Sequence, residues 1–114
     1  MLMKTSELTG QALVWAIAKA EGREDVRVDT DGDLIGNDYF DYLEWDQGGP
    51  IIERERISIR QWTNVPIVNA YMPAEDAAWS SDAKSPLVAA MRCYVASKLG
   101  DKIEVPDELV KDIV

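Results

Sequence analysis

Nine acids, Glu24, Asp25, Asp29, Asp31, Asp33, Asp38, Asp41, Glu44 and Asp46, crowd one stretch of the chain, with Arg27 as the single base among them. Carboxylates at this density suit three chemistries: general acid–base catalysis, cation binding, or a negative docking surface. Catalysis needs one particular pair, and with 21 acids in 114 residues the closeness of some pair singles out nothing. Asp29, Asp31 and Asp33 keep the opening spacing of a calcium loop, but Leu34 stands where the turn needs glycine and Phe40 where glutamate closes the shell. Neither a catalytic residue nor a metal ligand is assigned. The third chemistry fits best, because Asp38, Asp41, Glu44 and Asp46 interleave with Tyr39, Phe40, Tyr42 and Trp45. That mixture is too aromatic for a solvated loop and suits a partly buried segment or an interface.

The sign of the charge reverses downstream. Arg54, Arg56 and Arg60 face only Glu55, and their guanidinium forks can pair with the acidic stretch or offer themselves to an anionic ligand. Gly48-Gly49-Pro50, just ahead of them, lacks the Walker lysine pattern and GxGxxG, so it reads as a backbone turn that glycine permits, with a backbone-amide ligand site as the functional alternative. The chain has no histidine and one cysteine, Cys93, which excludes Ser-His-Asp and Cys-His catalysis, His-ligated zinc and an internal disulfide. Cys93 falls mid-helix in apolar company, where a thiol is an inert small hydrophobe. Twelve bases against the 21 acids leave a net charge of −9, which argues against direct binding to duplex nucleic acid. The longest apolar run, Ala12 to Ala18, is far too short to span a membrane, and the amino terminus does not read as a secretory signal. A cytoplasmic protein is expected.

The elements that position these groups follow from period and punctuation. A helix is predicted from about Ser6 to Glu21, capped by Thr5 or Ser6 and stopped at Gly22, with a centre apolar on every side. Val26 and Val28 face Leu34 and Ile35 across a turn composition, a short hairpin. Pro50 suits the first position of a short helix to Arg56. Ile57 to Trp62 and Ile67 to Met72 read as an antiparallel hairpin, and Pro73 to Lys84, with Trp79, as a polar connection. Ser85-Pro86 opens and Gly100 closes the most clearly signalled helix. Arg92 is its only charged side chain from Ser85 to Ser97, so it must snorkel, pair with a carboxylate or await a ligand. Ile103 and Val105 suggest a last strand, followed by a turn of helix from Pro106. The expected fold is α+β in a single domain, residues 1–114: a small antiparallel sheet packed against two main helices, about 6–21 and 85–99. Trp15 is expected in the core; Trp45 and Trp79 are the tryptophans left for a partner.

Three stretches read together, TSELTGQALVWAIAKAEG, WDQGGPIIERERISI and SPLVAAMRCYVASKLGDKIEVPDEL, resemble the NinX-like family of small accessory proteins of lambdoid phages and prophages. The resemblance covers about half of the chain and implies a phage product made in the bacterial host cytoplasm, without assigned catalysis or cofactor. Asn37 to Glu44 departs from the family, where a Pro/Ser-containing loop precedes the tryptophan. The motifs carry over Trp45, Gln47, Gly48, Gly49, Pro50, Glu53 and Arg54, and, on the last helix, Met91, Arg92 and Tyr94. The reading that follows is a non-enzymatic protein that binds and neutralises a host component, such as one of defence. Its acidic aromatic face, Asp38, Tyr39, Asp41, Tyr42, Glu44 and Trp45, would dock on a basic host protein. In the alternative, a pocket near Gly48-Gly49, Arg54 and Arg92 takes a small anionic ligand such as a nucleotide signal; a carboxylate enzyme stands third. All-round apolar helices also suit a homodimer.

Overall fold

Residues 1–38, 40–73 and 78–110 are described by the structure, a computed structural model. The fold is built on helix α3, Pro86–Leu99. The Ser85 hydroxyl accepts the Val88 amide at 3.4 Å, Pro86 occupies the first turn, and Gly100 leaves the helix at φ 93°. Leu87, Ala89, Ala90, Met91, Cys93, Tyr94, Val95 and Ala96 are buried, which on a 3.6-residue repeat means burial around most of the circumference. Helix α1 (Gly10–Ala20), helix α2 (Trp45–Glu55) and a three-stranded sheet all pack on it.

The architecture is α+β, with three small antiparallel sheets in place of the single one expected. Strand β1 (Leu2–Lys4) pairs with the final strand β7 (Lys102–Glu104), Met3 opposite Ile103, and so ties the two ends of the described chain together. Strands β2 (Arg27–Val28) and β3 (Leu34–Ile35) form the expected short hairpin. Asp29 closes its turn by accepting the amides of Asp31 and Asp33 at 2.9 Å each, so this carboxylate does the work of an Asx turn. Strands β4 (Ser58–Trp62) and β5 (Val65–Pro73) are the expected second hairpin. The region expected to be a connection instead supplies β6 (Ala78–Ala83), paired along β5. Its polar, alanine-rich sequence carries little strand propensity; the pairing with β5 makes it a strand. Ala70 and Ser81, opposite each other and buried, keep the sheet face under α3 small.

Two helix boundaries need correction. The first predicted helix is broken: residues 5–7 form a single 3-10 turn, Leu8 and Thr9 are extended, and α1 begins at Gly10 with φ 57°. Leu8 is fully buried and its carbonyl accepts from Arg92, so a tertiary contact holds it out of the helix. Helix α2 begins five residues before Pro50, with the Gln47 and Gly48 amides bonded to the Glu44 carbonyl. Pro50 sits inside it on the exposed side, where it forfeits an amide bond. Gly48-Gly49 is therefore no chain break. A Cβ on Gly48 would lie 2.5 Å from the Tyr42 carbonyl oxygen and 2.7 Å from Leu87 Cδ1, so this glycine exists to let α2 approach α3. Beyond Glu55, Arg56 takes the left-handed conformation at φ 55°, and the Ile57 amide closes the helix end onto the Ile52 carbonyl at 3.0 Å.

The two glycines should respond in opposite directions. Gly48→Ala is expected to destabilise by about 2 kcal/mol through overpacking. Gly49→Ala, whose new methyl meets only Trp45 at 3.9 Å, is expected to stabilise by up to about 1 kcal/mol. Thermal melting checks both, at roughly 4–8 °C per kcal/mol for a chain this size.

Candidate functional site

The acidic stretch is pinned at its root by one fork. Arg23 donates to both oxygens of Asp25 at 3.0 and 2.6 Å, and the Asn37 amide donates to the same carboxylate at 2.8 Å. The Arg23 fork, followed by that amide, holds the Asp25 carboxyl far below the usual range. The Arg23 guanidinium also lies 5.2 Å from the Phe40 ring centroid. Val26 and Tyr42 are buried beneath, so the loop between them folds back as a lobe over the first turns of α1.

Between that lobe and α1 lies a cavity of about 450 Å³. Val14, Leu34, Phe40 and Leu43 give its apolar wall; Gly10, Gln11 and Asp41 give the rest. Among the described residues, no basic side chain lines it. Asp41 accepts the Leu43 amide on one oxygen at 3.2 Å and is half-buried. Asp33, Asp38, Glu44 and Asp46, neighbours in sequence of the lining residues, are exposed, and so is Trp45 at 57%. Of the expected docking residues, Asp41 lines the cavity and Asp38, Glu44 and Trp45 are exposed close to the lining residues in sequence, while Tyr42 belongs to the core. Tyr39 and the Trp79 side chain lie outside the described residues. Gln11, Val14, Leu34 and Leu43 went unnoticed as cavity residues, since only the folding of the lobe onto α1 brings them together.

The second expected group divides. Arg54 donates to Glu21 at 3.2 and 2.7 Å, to Glu55 at 2.9 Å and to the Tyr94 hydroxyl at 3.3 Å. The Tyr94 hydroxyl in turn donates to Glu21, and Lys98 pairs with Glu55 at 3.3 Å. This network joins the ends of α1 and α2 to α3. Glu21 was not foreseen in it, for nothing local links it to residues 33 and 73 positions away. Gln47 and Gly49 are half-buried on α2, Gly48 is buried, and Glu53 is exposed. Arg92 lies elsewhere. Two positions from Tyr94 it is turned by about 200° around the helix, and it donates to the Leu8 carbonyl at 2.6 Å and the Asp82 carbonyl at 3.1 Å. The structure therefore does not bring Arg54 and Arg92 to a common pocket; each fork is engaged by the protein's own oxygens.

Burial pushes the Glu21 carboxyl up, and the bonds from Arg54 and Tyr94 more than reverse it, leaving it below the ordinary range. The Arg54 bond holds Glu55 low as well. Burial, reinforced by Glu21, pushes the Tyr94 hydroxyl well up, and burial takes the Cys93 thiol up to about 11, far from a reactive thiolate. Among the described residues no three His, Cys, Asp or Glu side chains are set to hold a metal ion. Among them, too, no helix is long and apolar enough to cross a membrane.

A carboxylate whose pKa falls on folding stabilises the fold above its unfolded pKa, and that contribution is lost as pH falls through the folded value. Glu21→Gln is therefore expected to lower stability at pH 7 and to flatten the loss of stability below about pH 4.5, as read by urea unfolding at pH 7 and about 3.5. Arg92→Met orphans the carbonyl of the buried Leu8 and removes the bond to the exposed Asp82 carbonyl. It should destabilise by about 2–3 kcal/mol in the same assay.

Comparison with curated proteins gives no match. A family model described as Bacteriophage P22, NinX matches residues 4–98, from the first strand to the last turn of α3 and across both the acidic lobe and the Arg54 network. With most of its length so matched, the chain belongs to the NinX family of phage proteins.

Proposed function

We propose that this phage accessory protein acts by binding rather than by turnover, and that its acidic lobe docks on a basic protein of the host cell and neutralises it. The observation that carries the reading is the cavity: a largely apolar pocket with the Asp41 carboxylate in its wall, no base among the described residues of its lining, and exposed acids close to those residues in sequence. A partner with a basic rim and one apolar anchor would gain burial from Phe40, Leu43, Leu34 and Val14, while the surrounding acids speed its approach. Trp45, half exposed at the start of α2, extends the contact area. Of the bases of the lobe, Arg23 is spent on Asp25, and Arg27, which donates to the Asp25 carbonyl at 3.2 Å, is a single charge against the eight remaining acids of the stretch. Host defence components are a suitable class of target for a phage product of this kind. The nucleotide alternative draws no support from the geometry, because Arg54 and Arg92 are separated and already bonded.

The test compares the parent chain with a variant carrying Asp38→Asn, Asp41→Asn, Glu44→Gln and Asp46→Asn, each purified from infected host cells and weighed by native mass spectrometry. The parent chain is expected to retain a basic host protein, with an association rate that falls as salt rises, and the variant to lose it. Equal retention by both, or an added mass of only several hundred daltons, would overturn this reading, the latter in favour of a small ligand.

A further inference from the structure

The β4–β5 hairpin is the chemical opposite of the acidic lobe. Residues 61–67 form an unbroken exposed run around its tip, and Trp62, Val65 and Ile67 stand 50%, 45% and 44% exposed. From Arg56 to Pro73 the sequence has no acid, although the chain as a whole carries −9, and Arg56 and Arg60 are its bases there. Arg60 lies 5.5 Å from the Tyr71 ring centroid, and no carboxylate among the described residues pairs with it. A cluster of large apolar side chains left in water beside cations marks a surface that meets something. The cavity beside α1 has what it lacks: apolar walls, the Asp41 carboxylate and neighbouring acids.

One molecule does not join the two. The cavity belongs to α1 and its lobe, the hairpin belongs to the sheet, and both pack on α3 rather than, to any comparable extent, on each other. We infer that the occupant of the cavity is the hairpin tip of a second copy of this chain, Trp62 entering the apolar pocket and Arg60 meeting the Asp41 carboxylate in its wall. Electrostatics select this pairing over the two symmetric ones. Hairpin against hairpin brings the Arg60 side chains of both copies together, and lobe against lobe sets acids against acids. A volume of about 450 Å³ lies in the range that encloses a compact ligand, and an indole fits within it. The contact joins two different surfaces, so it is head-to-tail, and each chain keeps one hairpin and one cavity to offer. It uses the cavity assigned above to a host partner but does not rest on that assignment; the two occupants would compete.

Sedimentation equilibrium of the full chain tests this through complementation. The average mass is expected to rise with concentration above that of a monomer and to fall back as salt is raised from about 50 to about 500 mM. Trp62→Ala removes the hairpin's anchor, and Gln11→Trp fills the cavity from an exposed position on α1; each alone is expected to weaken association about thirty-fold or more. Mixed in equal amounts, the two variants should recover a dimer and nothing larger, because one still has its cavity and the other its hairpin. Melting curves establish that both variants are folded. A parent chain that stays monomeric up to several hundred micromolar overturns the proposal. So does a Gln11→Trp chain that associates unaided, which would mean hairpin against hairpin, and so does a mixture that recovers nothing.

Discussion

Helix α3 is apolar around nearly its whole circumference, and a helix of that kind is stable only if it is covered on every side. The sheet covers one side, α1 another, and α2 reaches its first turns through Gly48. The one charge in its middle then becomes a constraint on everything near it. Arg92 emerges between α1 and the sheet, and satisfying it takes a carbonyl from each: Leu8 before α1 and Asp82 in β6. Leu8 can supply that carbonyl only from an extended backbone, which is why the first helix is interrupted where local sequence favours its continuation. A half-buried cation thus fixes a helix boundary more than eighty residues away.

The parts of this fold legible in the sequence are those whose signals are local. Ser85, Pro86 and Gly100 bracket α3, turn residues mark the β2–β3 hairpin, and alternation marks β4 and β5. What could not be read depends on partners. Strand β1 is three residues long, and only β7, at the far end of the described chain, makes it a strand. Strand β6 has the composition of a linker and takes its conformation from β5. Gly48-Gly49-Pro50 misleads for the opposite reason, since its local signal is strong but answers a tertiary demand, the approach of α2 to Leu87. Composition says that the glycine is needed; only packing says for what.

The same division runs through the candidate site. Residue type and density single out the acids from Asp29 to Asp46, because exposed carboxylates need no partner to be recognised. Which aromatics accompany them on the surface is a matter of burial: Tyr42 turns into the core, Phe40 stands half-buried under Arg23, and Trp45 stays in water. The arginines are harder to read than the acids, since a guanidinium does the same thing for a ligand as for a neighbouring helix. Arg54 binds Glu21 with the geometry it would offer a phosphate.

Charge is distributed so that the acidic lobe bears most of its own repulsion. Its strands are two residues each, so ladder hydrogen bonds contribute little. It is held instead by Val26 and Tyr42 below, by the Asx turn of Asp29, and above all by the Arg23 fork on Asp25. Pairing Asp25 internally, tying Asp29 and Asp41 to backbone amides and leaving the others in water keeps the lobe folded without neutralising it, and preserves a surface whose like charges destabilise it slightly. Any cationic partner, a host protein or the acid-free hairpin of another copy, relieves that repulsion as it binds. By linkage, occupation of the cavity by the proposed cationic partner would stabilise the lobe, so the repulsion that makes this part of the molecule costly to fold is what such binding would relieve.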